Sequence, residues 1–298
     1  MKRILVILVT HNGMHWLPRC LGSIPPRHPR TCSVDLYVVD NDSTDGSADW
    51  IQTNYPSAKL VRSAENLGFT LANNLGFDYA IAKGYDYVYL LNQDAWVEEG
   101  AIDKLVAAAE AHPEFAVLSP LQMTDGFKDY DGQFGKILRS AQNDRNAKCH
   151  SCHPEGGEAD RRIYSVSRVM AAHWLMRVEA VKQVGKFSEL FPYYGQDDDW
   201  CNRAKYHGWK IGIVPEARAV HDRARRKESK DRIIDRNYRV GSLVRLCDIN
   251  HPLLARFLFV ILFTLVKTVK YFSFLPIKHF IGICKILPEL VTLRDSYK

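Results

Sequence analysis

The stretch Tyr89–Trp96 reads YLLNQDAW and places three polar residues, Asn92, Gln93 and Asp94, directly after an apolar run that begins at Tyr85. Either a surface turn or a cation site at the carboxyl edge of a sheet explains a buried strand that ends in this way. Apolar runs rich in β-branched or aromatic residues also occur earlier, at Ile4–Val9, Val34–Val39 and Lys59–Arg62. These four runs are predicted to be strands.

Stretches with helical periodicity separate the predicted strands and lie at Trp16–Ile24, Ser47–Asn54 and Thr70–Lys83. Strands that alternate with helices are typical of βαβ units, which form a largely parallel sheet. Turn-forming polar residues follow three of the strands, and in open α/β sheets ligands bind beyond the carboxyl ends of the strands. We therefore predict an α/β fold with a Rossmann-like, mostly parallel sheet flanked by helices and a ligand site at one edge.

The second strand ends in VVDNDSTDGS, residues 38–47, where Asp40 and Asn41 directly follow apolar residues. Turn and capping chemistry explains Ser43 to Ser47, because Ser favours helix starts and carboxylates favour the positive helix end. It does not explain a carboxylate at the strand tip. There, Asp40 is placed to accept hydrogen bonds from the base and ribose of a nucleotide, and from the residues alone both interpretations stay open.

A further cluster reads Glu65-Asn66-Leu67-Gly68-Phe69 and is followed by Asn73 and Asn74 inside the third predicted helix. Gly68 permits a tight turn or a close approach of the backbone to a ligand. Asn is a weak helix former, so two of them in succession indicate a task beyond helix formation. An ordinary turn followed by two solvated amides is the alternative.

The cation site suggested by YLLNQDAW needs more than Asp94. A hard divalent cation binds oxygen ligands, and a carboxylate at a strand tip supplies one while a bound pyrophosphate supplies others. His221, directly after the apolar pair Ala219-Val220, is our candidate for a later protein ligand. An ordinary surface or core histidine is the alternative.

Three consecutive carboxylates, Asp197–Asp199, lie in YYGQDDDWCNR, residues 193–203. One or two acidic residues are usual at a helix N-terminus, but three repel one another and indicate that at least one serves proton transfer or binding. Arg203 is placed to offset part of the repulsion as an i,i+4 partner of Asp199. A helix over Asp198–His207 and a strand over Trp209–Val214 are predicted here.

In chain order, the motifs VVDNDSTDGS, NLGF, LLNQDAW, YYGQDDDWCNR and PEARAVH resemble those of inverting family-2 glycosyltransferases with the GT-A fold, most closely the bacterial rhamnosyltransferase-like branch. The resemblance covers the chain from about Lys2 to His221. It implies a metal-dependent enzyme that moves a sugar, with inversion, from a nucleoside diphosphate donor such as dTDP-rhamnose or a UDP-sugar. The implied acceptor is a glycan or a lipid-linked glycan in cell-surface polysaccharide synthesis.

The resemblance also implies roles for individual residues. Asp197 would be the general base that deprotonates the acceptor hydroxyl, and Asp94 and His221 would hold Mg²⁺ or Mn²⁺ at the leaving diphosphate. Contacts to the nucleotide sugar are expected from Thr10, Asp40, Asn41, Asn66, Gly68, Asn73 and Asn92. Contacts to the acceptor or the sugar are expected from His173, Trp174, Gln196 and Asp199.

Three features depart from the family pattern: Asn92, Gln196 and the loop from Ser140 to Arg162, whose spacing is unlike that of the family. Asn92 stands where many relatives have Asp, which leaves the metal with fewer charged ligands. Gln196 replaces the Glu that usually precedes the base, so one ionisable group is absent beside Asp197.

The chain has 298 residues, of which 46% are hydrophobic, and this composition is typical of a globular protein. We expect a catalytic domain over residues 1–222, made of a nucleotide-binding half to about 125, an irregular insertion at about 128–163 and an acceptor-side half at about 164–222. The insertion carries a C-x-x-C-H pattern at Cys149–His153. We expect a solvated loop there, because haem attachment requires export and a zinc site requires four ligands.

Residues 223–298 are predicted to form a basic and apolar helical tail. Between Arg223 and Arg239 there are eight basic and three acidic residues, while the whole chain has a formal charge of +6. The apolar stretch Leu253–Leu275 follows, and its longest uncharged run has ten residues, whereas a transmembrane helix needs about 20. Its basic residues fall within an arc of about 60° on a helix, which favours an amphipathic helix on anionic lipid. A helix packed on the catalytic domain is the alternative.

The seven cysteines form no regular framework, which indicates a reducing compartment. We therefore expect a cytoplasmic protein bound peripherally to the inner face of the plasma membrane. Nucleic acid is not an expected partner, because Tyr238 is the single aromatic residue between Arg223 and Arg239.

Two other functions stay open at this point. A nucleotidyltransferase would share the sheet and the metal carboxylates, but it would carry a Gly-rich, basic phosphate loop near the first strand. A non-catalytic, membrane-surface binding protein derived from a glycosyltransferase would use the basic tail. A nicotinamide dehydrogenase is disfavoured, because no G-x-G-x-x-G follows the first strand.

Overall fold

The computed structural model describes residues 1–24, 32–124, 129–130, 134–135, 163–222 and 229–298. Its strands are β1 (Lys2–Thr10), β2 (Cys32–Asn41), β3 (Lys59–Ser63), β4 (Tyr87–Asn92), β5 (Ala95–Val97), β6 (Phe115–Met123), β7 (Tyr164–Val166), β8 (His173–Arg177) and β9 (Lys210–His221). The helices of the catalytic region are α1 (Leu17–Gly22), α2 (Ser47–Asn54), α3 (Gly68–Ala82), α4 (Ala101–Ala111), α5 (Val178–Val184) and α6 (Gln196–Tyr206). The C-terminal helices are α7 (Lys230–Ile234), a π-helical turn (Asp235–Val240), α8 (Gly241–Cys247), α9 (Leu253–Tyr271), α10 (Leu275–Lys285) and α11 (Leu287–Ser296).

The described strands form one sheet in the order β3-β2-β1-β4-β8-β6-β9-β5, with β7 beside β9. Strands β3, β2, β1 and β4 are parallel neighbours, as the alternating strands and helices predict. Strand β8 enters antiparallel between β4 and β6, and β5 is antiparallel to β9. The predicted fold class, a mostly parallel sheet flanked by helices, is confirmed.

Side chains of β1 alternate between two hydrophobic cores, one on each face of the sheet. Ile4, Val6 and Leu8 pack with α1, α2 and α4, whereas Leu5 and Ile7 pack with α3, α5 and α6. Burial on both faces explains why β1 reads as a continuous apolar run rather than as an alternating one. Because β3, β2, β1 and β4 are parallel, their carboxyl ends lie at a single edge of the sheet.

The last strand differs from its prediction. The sequence indicated a strand that ends at Val214, but β9 continues through Pro215 to His221. A shift in its register with β6 lies between Pro120 and Leu121, opposite Val214 and Arg218, and the strand resumes beyond it. The irregularity accommodates Pro215, which has no N–H for the ladder. His221 is therefore held within a strand rather than in a loop.

The C-terminal helices have a third hydrophobic core of their own, which includes Val260, Ile283 and Leu290. Phe191 from the catalytic region is part of that core, and His207 Nε2 lies 3.1 Å from the carbonyl oxygen of Tyr297. None of the described helices combines the length and apolar character that crossing a bilayer requires. The division at residue 222 stays a prediction, but the tail packs closely on α6.

Three predictions concern segments that the structure does not describe. The irregular insertion falls almost wholly outside the described residues, and so does the C-x-x-C-H pattern within it. The first part of the basic segment, residues 223–228, also lies outside them.

Candidate active site

The ends of β1, β2 and β4 bring three predicted site residues together. Thr10 pairs with Asp40 in the register of β1 and β2, and Asn92 pairs with Val9, one residue before Thr10. Thr10 is buried, and its Oγ1 lies 2.7 Å from Oε1 of Gln93, to which it donates a hydrogen bond. Gln93 also accepts from the His11 N–H at 2.8 Å. The middle residue of the NQD triplet therefore joins the ends of β1 and β4.

Hydrogen bonds also fix the two loops that follow β1 and β2 against each other. The Asn12 N–H donates to Ser43 Oγ at 2.9 Å, and the Thr44 N–H donates to Asn12 Oδ1 at 2.9 Å. Asn12 has φ of +49°, a left-handed conformation that Asn tolerates better than most residues. These loops form a rigid rim beside Thr10 and Asp40.

Asp40 is buried with half of its carboxylate unused by the protein. Its Oδ2 accepts a hydrogen bond of 3.2 Å from the Ser43 N–H. Its Oδ1 has no hydrogen-bond partner among the described residues. An unpaired buried oxygen is costly, so a ligand that donates a hydrogen bond is favoured there. Turn chemistry alone does not explain this arrangement.

Asn41, Asn66 and Gly68 shape the loop that precedes α3. The Asn41 side chain donates to Asn66 Oδ1 at 2.9 Å and accepts from the Leu67 N–H at 2.8 Å. Gly68 has φ of +76°, and a Cβ there would lie 3.2 Å from the Pro192 carbonyl oxygen. The side-chain amide of Asn41 thus forms its hydrogen bonds with other residues of the protein. These bonds orient the loop before α3.

Asn73 forms a hydrogen bond within its own helix, and its predicted contact to the nucleotide sugar stays a prediction. It is buried, and its Nδ2 donates to the Phe69 carbonyl oxygen of its own helix at 2.8 Å. Its neighbour Asn74 exchanges two hydrogen bonds with the backbone of Phe187, at 2.9 and 3.0 Å. The consecutive amides therefore fasten α3 to the loop after α5, a structural task.

Asp94 and His221 meet across the sheet, as predicted. Strand β5 pairs antiparallel with β9 so that Ala95 lies opposite His221. His221 Nε2 is 3.5 Å from Asp94 Oδ1, and both side chains retain some exposure. The Asp222 N–H donates to the Asp94 carbonyl oxygen at 2.8 Å and fixes the pair. Two residues 127 positions apart therefore form one small polar centre.

These residues fit a divalent cation as two of its ligands. A carboxylate oxygen suits both Mn²⁺ and Mg²⁺, an imidazole nitrogen suits a transition-metal ion such as Mn²⁺ better, and their separation lets both reach one ion. Asn92 lies two residues before Asp94 in the sequence. Its Oδ1 is buried and has no hydrogen-bond partner among the described residues. No group of three His, Cys, Asp or Glu side chains suited to a metal occurs in the described part of the chain.

The acidic triplet begins α6, and its three members have different surroundings. Asp197 is partly buried, and its Oδ1 accepts a hydrogen bond from the Asp198 N–H at 2.9 Å. Arg168 Nη1 lies 2.8 Å from both carboxylate oxygens of Asp198. Desolvation, together with the charge of Asp198, raises the pKa of Asp197 to about 7. The positive charge of Arg168 counteracts this rise in the pKa of Asp197. The sequence around Arg168 carries no signal for this role.

The third carboxylate, Asp199, belongs to a buried ion pair, and its predicted contact to an acceptor stays a prediction. Asp199 Oδ2 accepts from Arg203 Nε at 2.9 Å, and both side chains are almost fully buried. Arg203 also donates to the carbonyl oxygens of Val184 and Lys186, at 2.7 and 2.9 Å. The predicted i,i+4 pair is confirmed. Gln196, by contrast, has a buried Oε1 with no hydrogen-bond partner among the described residues.

We expect Arg203→Met to destabilise the protein by about 3 kcal/mol, because it leaves Asp199 as an uncompensated buried carboxylate. Burial raises the pKa of Asp199 and Arg203 counteracts that rise, so the variant would also push Asp199 toward its neutral form. Urea unfolding measures the loss. Lys205→Met, at an exposed position of the same helix, is the control and should change stability by less than about 0.5 kcal/mol. Equal losses for the two variants would contradict this assignment.

His173 and Trp174 are fully buried, and their predicted contacts to acceptor or sugar stay a prediction. His173 Nε2 lies 3.0 Å from the Val220 carbonyl oxygen, and Nδ1 lies 2.9 Å from the Tyr89 hydroxyl. Since a carbonyl only accepts, Nε2 carries the proton and Nδ1 accepts from Tyr89. Desolvation lowers the pKa of His173 to about 3, which keeps the ring neutral. His173 thus positions the end of β9, next to His221.

Comparison with known proteins places this geometry in a family. The model of glycosyl transferase family 2 matches residues 5–185. A curated relative, the N-acetylglucosaminyl-diphospho-decaprenol L-rhamnosyltransferase of Mycobacterium tuberculosis, is 29% identical over 241 residues, which cover 74% of this chain and 76% of that protein.

Solved structures share the fold at low sequence identity. The S. aureus TarS 1-349 structure has a TM-score of 0.59 at 16% identity over 86% of this chain and 68% of that one. GalNAc-T7 with UDP, GalNAc and Mn²⁺ has a TM-score of 0.58 at 15% identity, and the match covers 85% of this chain but 52% of that one. The mannosyltransferase PcManGT from Pyrobaculum calidifontis, with GDP-Man and Mn²⁺, has a TM-score of 0.54 at 17% identity over 100% of this chain and 74% of that one.

These likenesses show the GT-A fold, and the GT-A neighbours GalNAc-T7 and PcManGT hold Mn²⁺ in their structures. The family match covers more than half of the 298 residues, and the rhamnosyltransferase relative agrees with it. The chain is a glycosyltransferase and belongs to glycosyl transferase family 2.

Proposed function

We propose that this glycosyltransferase is a metal-dependent, inverting enzyme that transfers a sugar from dTDP-rhamnose or a UDP-sugar to a lipid-linked glycan in cell-surface polysaccharide synthesis. The observation that carries the proposal is the meeting of Asp94 and His221, 3.5 Å apart, at the edge where Asp40 has an unpaired oxygen. The name of the M. tuberculosis relative, a rhamnosyltransferase whose acceptor is a decaprenol-linked sugar, supports the donor and acceptor classes.

The nucleotide would lie across the ends of β1 and β2. Asp40 Oδ1 accepts a hydrogen bond from the base or ribose, because it is the unpaired acceptor there. Thr10 lies next to Asp40 in the register of β1 and β2, and Gly68 lets the loop before α3 approach the ligand closely. Asn41 and Asn66 hold that loop in place.

The diphosphate would lie over the end of β4. Asp94 and His221 would hold the divalent cation, and Asn92 Oδ1 is the nearest unpaired acceptor in the sequence. When bound, the cation offsets the negative charge that develops on the leaving diphosphate. Gln93 keeps the ends of β1 and β4 at a constant separation through Thr10 and His11.

Asp197 would remove the proton of the acceptor hydroxyl. It is partly buried at the N-terminus of α6, and its raised pKa gives it the affinity for a proton that a general base needs near neutral pH. The adjacent rings of Tyr193 and Tyr194 are half exposed and suit stacking on a sugar face. The buried, unpaired Oε1 of Gln196 is a further acceptor for a sugar hydroxyl.

We expect activity to fall below about pH 7, because only the deprotonated Asp197 accepts a proton and its pKa is raised to about 7. Arg168→Gln removes a positive charge that lowers this pKa, so the acid limb of the profile should move to higher pH. A profile of kcat/KM against pH measures both. Arg62→Gln, in an exposed ion pair with Asp49, is the control and should leave the profile unchanged. An unshifted limb in Arg168→Gln would contradict the electrostatic link.

Product analysis tests the proposed function. The purified protein is incubated with Mn²⁺, a polyprenyl-diphosphate-linked N-acetylglucosamine and either dTDP-rhamnose or a UDP-sugar. NMR then reads the anomeric configuration of the new linkage. Transfer from one donor with inversion supports the proposal, and retention of configuration or nucleotidyl transfer to the acceptor would overturn it.

The same enzyme would work at the inner face of the plasma membrane, where a lipid-linked acceptor is embedded. The C-terminal helices, which are poor in acidic residues, support this placement.

A further inference from the structure

Helix α9 has an inner face that packs on the protein and an outer apolar face that the described residues leave uncovered. Val260 and Thr264 are buried on the inner side, where Thr264 Oγ1 lies 2.6 Å from the Tyr238 hydroxyl. The outer face carries large apolar side chains that are 58–94% exposed: Leu254, Leu258, Leu262, Leu265, Val269 and Phe272. Their spacing of three or four residues places them along one side of the helix.

The turn between α9 and α10 projects two aromatic rings from the end of this face. Phe272 is 94% exposed and has φ of +50°, a left-handed conformation that is strained for a bulky residue. Phe274, two residues later, is 82% exposed. Contiguous apolar surface of this extent on a soluble protein marks an interaction site. The outer face of α9 together with this turn is called the α9 face below.

The charge around the α9 face indicates an anionic partner. From residue 249 to residue 288 the sequence contains no Asp or Glu, but it contains Arg256, Lys267, Lys270, Lys278 and Lys285. Among the three basic residues of α9, Arg256 is paired with Asp248, whereas Lys267 and Lys270 lie beyond one edge of the exposed apolar stripe at about 100° per residue. This is the arrangement of a helix that lies in a membrane interface, with apolar side chains in the acyl region and cations at the lipid phosphates.

We propose that the α9 face is a membrane-inserting surface that binds a bilayer containing anionic lipid without spanning it. The face is connected to the catalytic centre through packed side chains. The π-helical turn holds Tyr238 against α9, and a Cβ on Gly195, two residues before Asp197, would lie only 2.7 Å from Val240 of the same turn. Insertion of the α9 face therefore holds the acceptor side of the centre close to the bilayer.

This surface goes beyond the proposed transfer reaction, because lipid binding needs neither donor nor metal. The test is co-sedimentation of the full chain with vesicles of phosphatidylcholine alone and of phosphatidylcholine with about one-third phosphatidylglycerol. We expect binding to the anionic vesicles to be at least about tenfold stronger. Equal binding to the two vesicle types, or no binding to either, would overturn the proposal.

Variants locate the binding surface. Phe272→Glu combined with Phe274→Glu should reduce binding to anionic vesicles at least about tenfold, since it places two carboxylates at the inserting tip. Lys270→Glu combined with Lys278→Glu should reduce it through charge alone. Leu75→Glu changes a half-exposed apolar residue on α3 and should bind as the wild type does. The altered positions are exposed, and unchanged thermal unfolding checks that the variants fold.

Two readouts separate this proposal from its competitors. Light scattering without lipid measures self-association. If the wild type is a dimer and the double variant Phe272→Glu, Phe274→Glu is a monomer, the α9 face binds a second copy of the chain, and the proposal is overturned. Calorimetric binding of UDP and dTDP is measured on the same samples. Loss of vesicle binding with unchanged nucleotide binding would support the α9 face independently of whether the proposed reaction holds.

Discussion

Asp197→Asn is expected to lower the rate of sugar transfer by about a thousandfold and to leave nucleotide binding unchanged. The amide has the shape of the carboxylate but does not take up the acceptor proton, and general-base catalysis contributes about 10²- to 10⁴-fold. The position lies at the first turn of α6, apart from the ends of β1 and β2 where the nucleotide is proposed to bind. Steady-state kinetics and calorimetry on the same preparation measure both properties.

Asp198→Asn is the matched control, because this carboxylate is adjacent but engaged by Arg168. The negative charge of Asp198 raises the pKa of Asp197, so its removal should move the acid limb of the pH profile to lower pH. The maximal rate should stay within about tenfold of the wild type. If Asp197→Asn retained more than a tenth of the wild-type rate, or if the two variants were equally impaired, Asp197 would not be the base.

Asp94→Asn is expected to lower kcat/KM by about 10²- to 10³-fold in Mn²⁺ and to remove the dependence of the remaining activity on the metal. The change replaces an anionic oxygen ligand by a neutral one, which leaves His221 as the remaining member of the pair. Activity assayed across a range of Mn²⁺ concentrations measures the effect.

Asp222→Asn is the control for Asp94→Asn, because it also neutralises a carboxylate at the end of β9. Asp222 Oδ2 accepts a hydrogen bond of 3.2 Å from Trp16 Nε1. The amide oxygen of an Asn at this position can accept the same hydrogen bond. Its activity should stay within about tenfold of the wild type. A wild-type response to Mn²⁺ in Asp94→Asn would show that the metal is held elsewhere.

The nucleotide half of the fold could be predicted because its signals are local. Strand β1 is a continuous apolar run between polar ends, α2 begins and ends at the predicted residues, and Asp40 and Asp94 lie at strand tips. The carboxyl ends of parallel neighbours meet at one edge whatever the details of packing. The meeting of Asp94 with His221 required only that β5 and β9 be neighbours at that edge.

The sequence predicts least about side chains whose direction depends on tertiary packing. His173 and Trp174 lie on β8, which is inserted between β4 and β6 and is covered on both faces. A five-residue strand carries no periodicity that reveals this. Asn73 and Asp199 are polar, but their partners are the backbone of their own helix and Arg203. Polar residue type alone does not distinguish such buried pairs from ligand contacts.

The tail has features of both sequence alternatives, of which the membrane-interface helix stays a proposal. A packed helix and a membrane-interface helix were alternatives for the stretch from Leu253, and α9 packs Val260 and Thr264 while it exposes Leu262 and Val269. Composition predicts the basic stripe, but the exposed fraction of each apolar residue depends on the third hydrophobic core. Contact between Gly195 and the π-helical turn, which links this tail to the centre, has no signature in the sequence.

Calorimetric titration of the wild-type protein with UDP and with dTDP, first in Mn²⁺ and then in excess EDTA, tests the central claim most directly. That claim is that the strand ends which carry Asp40, Asp94 and His221 bind a nucleoside diphosphate together with a divalent cation. The account predicts that one of the two nucleotides binds in Mn²⁺ and that its affinity falls at least about tenfold in EDTA. Equal affinity in Mn²⁺ and EDTA, or no binding of either nucleotide in Mn²⁺, would contradict it.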